Sequence, residues 1–179
     1  VMKGGRDNLT EMMAESLARA KRVNTTRKVG NFSIKELIAD IRESEVKSDP
    51  DLRNRLVEFN LKEDVPIFNF CRLEIRRVLV NLMVNAAQAS DSTDLIEVGL
   101  DSSDDHATVY IMDRGEGVPE EIKDRIFDSC FTTREGGNGL GLASCRYIVE
   151  TLHFGKLGFA PREGGGSIFT FTLTLDANS

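Results

Sequence analysis

A glycine-rich segment that leads into a helix constrains this chain more than any other feature of its sequence. The segment reads G-G-N-G-L-G-L from Gly136 to Leu142, and the apolar spacing that follows predicts a helix over residues 140–152. Backbone N–H groups freed by glycine at a helix N-terminus, together with the helix dipole, form an anion site. The spacing differs from the dinucleotide fingerprint, and no G-K-[ST] is present, which excludes a P-loop.

The net charge makes such a backbone site necessary for an anionic ligand. The 179 residues include 23 Lys and Arg against 29 Asp and Glu, giving a net charge of −6. No basic stripe is present, so we expect no nucleic acid partner. Any phosphate must then be held by backbone N–H groups, a metal ion and a few local cations.

The remaining composition indicates a chain of the cytoplasm. The three cysteines show no metal-ligand spacing and are expected to be buried or incidental thiols in a reducing compartment. No apolar run approaches the ~20 residues that a membrane span needs, and no signal-peptide pattern opens the sequence. We therefore predict a cytoplasmic location with no membrane contact by this chain, within a parent protein that could itself be membrane-anchored.

The pattern of apolar residues predicts an α/β fold. Helical spacing marks residues 33–43, with Ser33 as the expected N-cap, and residues 73–89. Period-two alternation or short apolar runs predict strands over residues 56–61, 67–70, 95–100, 108–112, 156–160 and 167–175. Between them, residues 114–138 are predicted to be a long loop with one or two short helices. Interleaved helices and antiparallel strands predict a two-layer sandwich: a mixed, mostly antiparallel sheet with helices packed on one face.

An N-terminal segment is predicted to stand apart from this domain. Residues 1–29 are interpreted as a helix and linker, and residues 30–179 as the domain. The helix over residues 7–22 carries an apolar stripe formed by Leu9, Met13, Leu17 and Ala20. A lone helix cannot bury such a stripe, so we expect it to pack on the main body or on a partner, with a homodimer as one option.

Two asparagines lie one turn apart on the predicted helix 73–89. Asn81 and Asn85 share a face of this helix, in the sequence N-L-M-V-N. One interpretation is that both amides bond to neighbouring loops. The other is that an amide carbonyl binds Mg²⁺, which takes only one or two protein oxygens when a nucleotide supplies the rest.

A D-R-G-E-G motif directly follows the predicted strand 108–112. A carboxylate at a strand end, here Asp113, can accept a hydrogen bond from an exocyclic amine. Gly115 and Gly117 allow the backbone to approach a flat ligand closely. The same pattern is also common in ordinary turns.

The loop between these motifs contains R-I-F-D-S-C-F-T-T-R, Arg125 to Arg134. Phe127 and Phe131 are predicted to anchor the loop on the core. A long Gly-bounded loop with such anchors also suits a lid over a ligand. Thr132, Thr133 and Arg134 then face either phosphates or solvent.

The order of these motifs closely resembles the ATP-binding domain of sensor histidine kinases, in the superfamily shared with type II topoisomerase, Hsp90 and MutL ATPases. The order is an Asn-bearing helix, a strand with D-x-G-x-G, a Phe-anchored loop, a G-x-G-L-G-L helix and a G-G-G-S turn into a last strand. The resemblance covers about residues 30–176 and implies that ATP and Mg²⁺ bind.

The resemblance also implies roles for named residues. Asn85 would coordinate Mg²⁺, Asp113 would bond the adenine amine, and Asn81 with Arg134 would act in catalysis near the phosphates. The implied nucleotide site comprises Asn81, Asn85, Asp113, Gly115, Gly117, Phe131, Thr132, Thr133, Gly137, Gly139, Leu140, Gly141, Leu142 and Ser167.

One position favours a kinase over an ATPase. The ATPase branch of the superfamily has a Glu base four residues before the metal-binding Asn, where this chain has Asn81. An amide cannot take a proton at neutral pH, so transfer to a side chain is favoured over hydrolysis. The alternatives are a serine protein kinase of the anti-sigma type and a degenerate nucleotide-binding regulatory module.

The phosphate acceptor is expected to lie outside this chain. Histidine kinases accept phosphate on a His in an H-E-[LIF] helix before this domain, and residues 1–30 contain no histidine. His106, expected in a hairpin loop, and His153, just past a helix, suit surface or packing roles. The implied partners are therefore an acceptor helix elsewhere and a response regulator. Cys130 stands where relatives commonly have Pro, H-F-G replaces H-G-G, and Arg77 stands where Gln or Glu is frequent.

Overall fold

The computed structural model describes residues 27–103, 105–132 and 139–175. The predicted helix over residues 7–22, with any homodimer contact that it makes, lies outside these ranges. So do three predicted site residues, Thr133, Arg134 and Gly137. The division into residues 1–29 and 30–179 stays a prediction.

The described residues form interleaved helices and strands. In chain order these are β1 (Val29–Phe32), α1 (Ile34–Glu43), α2 (Glu45–Ser48), β2 (Leu56–Leu61), β3 (Phe68–Cys71), α3 (Arg72–Ala89), β4 (Leu95–Ser102), β5 (His106–Met112), a 3₁₀ helix (Glu120–Arg125), α4 (Gly141–Arg146), a π-helical continuation (Tyr147–Leu152), β6 (Leu157–Pro161) and β7 (Ser167–Thr174).

The main sheet has five strands in the order β2-β4-β5-β7-β6. Only β2 and β4 are parallel, and the other neighbours are antiparallel. This parallel pair requires a crossover, and α3 lies in the connection between β2 and β4. The prediction of a mixed, mostly antiparallel sheet is confirmed.

One face of the sheet packs against the helices and forms the core. Strands β5 and β7 alternate buried and half-buried residues, as period-two patterning requires. Helix α3 contacts β4 and β5, and the π-helical segment contacts β7. The buried side of α3 comprises Ile75, Val78, Leu79, Leu82, Met83, Ala86 and Ala87. The predicted two-layer sandwich is therefore the observed architecture.

Helix α1 begins where the sequence predicts. The Ser33 side-chain oxygen accepts a hydrogen bond from the Glu36 N–H at 3.2 Å, which caps the helix. No helix among the described residues is both long enough and apolar enough to cross a membrane.

The structure corrects several element boundaries. The strand predicted over residues 67–70 runs from Phe68 to Cys71 and pairs with β1 in a separate two-stranded sheet. His106 is the first residue of β5 and lies opposite Thr174, so it is not in the hairpin loop. Strand β1 and helix α2 were not predicted, because four residues are too few for a periodic pattern to stand out.

Candidate functional site

A cleft of about 300 Å³ opens where α3, the D-R-G-E-G loop and the start of α4 meet. The predicted site residues that line it are Asn85, Asp113, Gly117, Phe131, Thr132, Gly139, Gly141, Leu142 and Ser167. The fold thus brings the three motifs together in one cavity. Their roles toward a ligand stay predictions at this point.

Other cleft residues were missed in the sequence. These are Gln88, Ala89, Val118, Pro119, Ile122, Ile126 and Phe169. Helical spacing could have found Gln88 and Ala89, which follow Asn85 by three and four positions on α3. The others are apolar or proline positions that form the cleft wall, and no chemical signal distinguishes them from ordinary core residues.

Asn81 lies beside the cleft but is not among the residues that line it. Its amide Nδ2 faces Cys145 Sγ at 3.8 Å. Burial raises the pKa of the Cys145 thiol to about 11, so the sulfur is protonated at neutral pH. The contact joins α3 to α4, and the predicted catalytic role of Asn81 stays a prediction.

Asp113 is the most enclosed polar group of the cleft, with 1% of its surface exposed. Its Oδ1 accepts hydrogen bonds from the backbone N–H of Gly115 at 2.9 Å and of Ser167 at 3.1 Å. Its own backbone N–H donates to the Ser167 carbonyl at 3.0 Å. The end of β5 is therefore fixed against the start of β7.

Burial raises the pKa of the Asp113 carboxyl above its usual range. The hydrogen bonds from Gly115 and Ser167, including the Ser167 hydroxyl, and the nearby Arg162 cation act in the opposite direction. A carboxylate has about four acceptor positions, and these groups supply three donors. Asp113 therefore keeps room for a donor from a ligand in the cleft.

The turn between β6 and β7 depends on glycine at its last position. Gly166 has φ +99°, and a Cβ atom there would lie 2.1 Å from the Asp113 carbonyl oxygen. An L side chain fits neither the dihedral angle nor the space. The G-G-G-S sequence thus allows the turn to pack directly against the main chain of Asp113.

The other side of the cleft is built from backbone around Gly139. Gly139 has φ +63°, and a Cβ atom there would lie 2.5 Å from the Cys130 carbonyl carbon. The Cys130 N–H donates to the Gly139 carbonyl at 3.1 Å, so residues 130 and 139 lie next to each other. Gly141 opens α4 on the cleft, whereas Leu140 is 47% exposed and is not a lining residue.

The two predicted loop anchors pack on the core. The Phe127 ring meets the Phe169 ring edge-on, with centroids 6.3 Å apart. Phe131 packs against the core and also lines the cleft, and the Arg125 guanidinium carbon lies 4.6 Å from its ring centroid. The predicted anchoring of the loop is confirmed, and Phe131 is also part of the cavity.

Neither histidine lines the cleft. His153 is buried: its Nε2 accepts from the Cys71 N–H at 3.0 Å, and its Nδ1 is 2.8 Å from the Ile148 carbonyl oxygen. Burial lowers the pKa of this imidazole, which is therefore neutral at neutral pH. His106 bonds to Ser103 and Asp105 on the surface. The predicted packing and surface roles are confirmed.

The described residues offer no metal cage. No group of three or more His, Cys, Asp or Glu side chains among them could hold a metal ion. All three cysteines are free thiols, with Cys130 exposed and the other two buried. A metal in the cleft would therefore depend on an amide such as Asn85 and on oxygens of the ligand itself.

Fold and site together define a nucleotide-binding α/β sandwich with its cleft between an Asn-bearing helix and glycine-rich loops. Residues 72–177 match the family of histidine kinase-, DNA gyrase B- and HSP90-like ATPases, and the chain belongs to this family. The resemblance seen in the sequence is confirmed, and with it the use of ATP as the family's nucleotide.

Two relatives of the chain are sensor proteins. The chain is 33% identical over 149 residues to the sensor protein TdiS of Thauera aromatica, covering 80% of this chain and 27% of that protein. It is 40% identical over 108 residues to the C4-dicarboxylate transport sensor protein DctS of Rhodobacter capsulatus, covering 58% of this chain and 16% of that protein. The chain thus spans well under a third of either relative.

A solved structure has the same fold. The catalytic domain of histidine kinase ThkA superposes with a TM-score of 0.73 at 30% identity, covering 84% of this chain and 99% of that domain. ThkA in complex with its response regulator TrrA also matches, with a TM-score of 0.70 at 25% identity, covering 94% of this chain and 49% of that chain. The described fold is that of a histidine kinase catalytic domain.

Proposed function

We propose that this chain binds Mg-ATP in the cleft and transfers the γ-phosphoryl group to a histidine outside the chain, as the catalytic domain of a two-component sensor kinase. The observation that carries the proposal is the Asp113 carboxylate, buried at the end of β5 and lining the cleft. Its remaining acceptor capacity suits the exocyclic amine of adenine, a planar donor that fits beside Gly117 and Ser167.

Phosphate binding is assigned to the opposite side of the cleft. Gly139 and Gly141 supply backbone at the start of α4, where N–H groups and the helix dipole favour an anion. Thr132 also lines the cavity. These groups bind phosphate without adding net positive charge, which suits a chain of charge −6.

Mg²⁺ is assigned to Asn85. This residue lines the cleft on α3, and an amide oxygen is a ligand that Mg²⁺ accepts when phosphates fill other positions. When bound, the ion would neutralise developing charge on the phosphates. Asn85 would hold the ion, Gly139 and Gly141 would hold the phosphates, and Asp113 would orient the base.

The residue at position 81, Asn81, favours phosphoryl transfer to a side chain over hydrolysis of ATP. The Asn81 amide cannot act as a base toward water, and it faces Cys145. The acceptor histidine belongs to another segment or chain, because His106 and His153 lie away from the cleft. The ThkA complex with TrrA supports a response regulator as the downstream partner. Because the proposed substrate is ATP, we propose a cytoplasmic location for this domain.

Calorimetric titration with ATP, with and without Mg²⁺, tests the proposal. We expect binding that strengthens with Mg²⁺, and Asn85→Ala should weaken Mg-ATP binding about tenfold while leaving Mg-free binding nearly unchanged. A matched control is Asn60→Ala, on the exposed side of β2. Equal Mg-ATP affinity in Asn85→Ala and in the unmodified chain would remove Asn85 from the metal site.

Three readouts separate the alternatives. A regulatory module without catalysis would give no phosphoryl transfer to a histidine-bearing acceptor helix despite tight ATP binding. A serine kinase of the anti-sigma type would give an acid-stable phosphoprotein, whereas phosphohistidine is acid-labile. Fast single-turnover phosphate release without an acceptor would instead favour the ATPase branch.

A further inference from the structure

An ion pair behind Asp113 belongs to none of the sequence motifs. Arg162 follows β6, and its Nη2 donates to Glu97 Oε1 at 2.8 Å. Its Nη1 donates to the main-chain carbonyl oxygen of Asp113 at 3.3 Å. The two side chains are only 18% and 17% exposed. Exposed ion pairs contribute little, but a covered pair is less screened and holds a more definite geometry.

The sheet register explains how these distant residues meet. Glu97 on β4 lies opposite the last residue of β5, directly before Asp113. Strand β6 ends opposite Ser167, and Arg162 is the next residue. Because the strand order is β4-β5-β7-β6, the Arg162 side chain spans the ends of β7 and β5 to reach Glu97.

The main chain of Arg162 is also fixed. Its N–H donates to the Gly166 carbonyl at 3.1 Å, and its carbonyl accepts from the Gly165 N–H at 3.2 Å. The same turn packs Gly166 against the Asp113 carbonyl, as described above. Arg162 therefore connects the β6–β7 turn, which packs against Asp113, to β4, which carries Glu97.

We infer that Arg162 and Glu97 form a positioning pair for adenine recognition, in which Arg162 fixes the main chain that carries Asp113 and Glu97 fixes Arg162. The inference rests on the proposed function, in which Asp113 binds the adenine amine. Neither residue of the pair lines the cleft, so the pair acts through Asp113 and does not contact the ligand.

The charges around Asp113 give this pair a second effect. Arg162 at the end of β6 is a cation that stabilises the ionised carboxylate, and Glu97 on β4 is the anion that it neutralises. Arg114, next in sequence, also lies 3.6 Å from Glu97. The residues of α3 and β7 that line the cleft with Asp113 are all uncharged: Asn85, Gln88, Ala89, Ser167 and Phe169.

The sign of the effect follows from these charges. Burial already raises the pKa of Asp113, and loss of the Arg162 cation would raise that pKa further. An amine donor bonds more strongly to the ionised carboxylate than to the protonated acid. Without Arg162, ATP affinity should therefore begin to fall at a higher pH as the solution is acidified.

The test compares the intact chain with Arg162→Met, Arg162→Lys and Glu97→Gln. ATP affinity is measured by calorimetry from neutral pH down to about pH 5.5, and the Asp113 carboxyl is titrated by ¹³C NMR without nucleotide. Arg162→Met should weaken ATP binding about tenfold at neutral pH. It should also move the acid limb, the pH range over which ATP affinity falls, to higher pH. Arg162→Lys should restore the position of the acid limb, because the charge remains. Glu97→Gln should weaken ATP binding less than Arg162→Met.

The control is Arg76→Met, which removes the comparably covered pair with Glu45 on α3 and α2. It should leave the acid limb unchanged. Wild-type affinity and an unshifted acid limb in Arg162→Met would overturn the inference; if that variant does not fold, unchanged binding in both Arg162→Lys and Glu97→Gln would overturn it. Absence of ATP binding in the intact chain would instead refute the proposed function, and the NMR titration would still show whether Arg162 controls Asp113.

Discussion

The two sides of the cleft are built in different ways. On one side, Asp113 is buried at the ends of adjacent strands and held by backbone bonds from Gly115 and Ser167. On the other side, Gly139 and Gly141 present backbone at the start of a helix, next to the exposed Thr132. The first side is fixed by hydrogen bonds within the protein to a buried carboxylate, whereas the second presents main chain at the start of α4. We infer that the side with Asp113, the base side, determines which ligand binds. The side with Gly139 and Gly141, the phosphate side, determines how that ligand is held.

The largest expected effect is at the base side. Asp113→Asn keeps the shape of the side chain, and its one oxygen can still accept from Gly115 and Ser167, whereas the second oxygen is replaced by an NH₂ group that cannot accept from an amine. We expect ATP affinity to fall about 100-fold, because the adenine amine loses a charged acceptor and meets a donor instead. Calorimetry measures the loss, with Asp124→Asn on the exposed 3₁₀ helix as the control. A loss of less than about threefold would contradict the assignment of the base side.

A smaller effect is expected at the phosphate side. Gly139→Ala forces an L residue to φ +63° and places its Cβ against Cys130, whereas a Cβ at Gly141 meets no atom within 4 Å. We expect Gly139→Ala to lower the free energy of unfolding by about 1–2 kcal/mol and Gly141→Ala to leave it nearly unchanged. Urea unfolding measures both.

One variant from each side, Gly139→Ala and Asp113→Asn, sharpens the comparison of the two sides. If phosphate is held by backbone N–H groups, Gly139→Ala should weaken ATP more than it weakens adenosine, which lacks phosphate. Asp113→Asn should weaken both ligands alike. An equal loss of ATP and adenosine in Gly139→Ala would show that the two sides do not divide the ligand between them.

The sequence predicted the parts of the site that are local in the chain. The cleft-lining residues Asp113, Gly139 and Asn85 each belong to a motif of a few consecutive residues whose conformational needs are readable, whereas their roles toward a ligand stay predictions. The core strands were likewise predicted from alternation. Their register was not, because it depends on partners far apart in sequence.

The Arg162–Glu97 pair shows why the rest could not be predicted. The two residues are 65 positions apart, and each is an ordinary charged residue near a strand end. They meet only because β6 and β4 flank the β5–β7 pair, an order that no local pattern specifies. Likewise, the contact of the Asn81 amide with Cys145 joins residues 64 positions apart, and no local pattern indicates it.

The smallest expected effect is on the free energy of unfolding in acid. It distinguishes loss of the Asp113–adenine contact from unfolding of the domain. His153 accepts from the Cys71 N–H as a neutral ring, and burial lowers its pKa below the ordinary 6.5. As pH falls, the unfolded chain takes up this proton first, so the stabilisation is fully present above about pH 6.5 and is lost as pH falls toward the lowered pKa. His153→Gln keeps an acceptor but cannot be protonated. It should therefore flatten the dependence of unfolding free energy on pH by about 1 kcal/mol between about pH 7.5 and 5.5.

Urea unfolding at both pH values measures this, and His106→Gln on the surface is the control. If His153→Gln flattens the unfolding profile while ATP affinity still falls with acid, the loss of affinity arises at Asp113. If both profiles flatten together, the acid response of the cleft is only a response of the fold, and the base side is not the pH-sensitive side of the site.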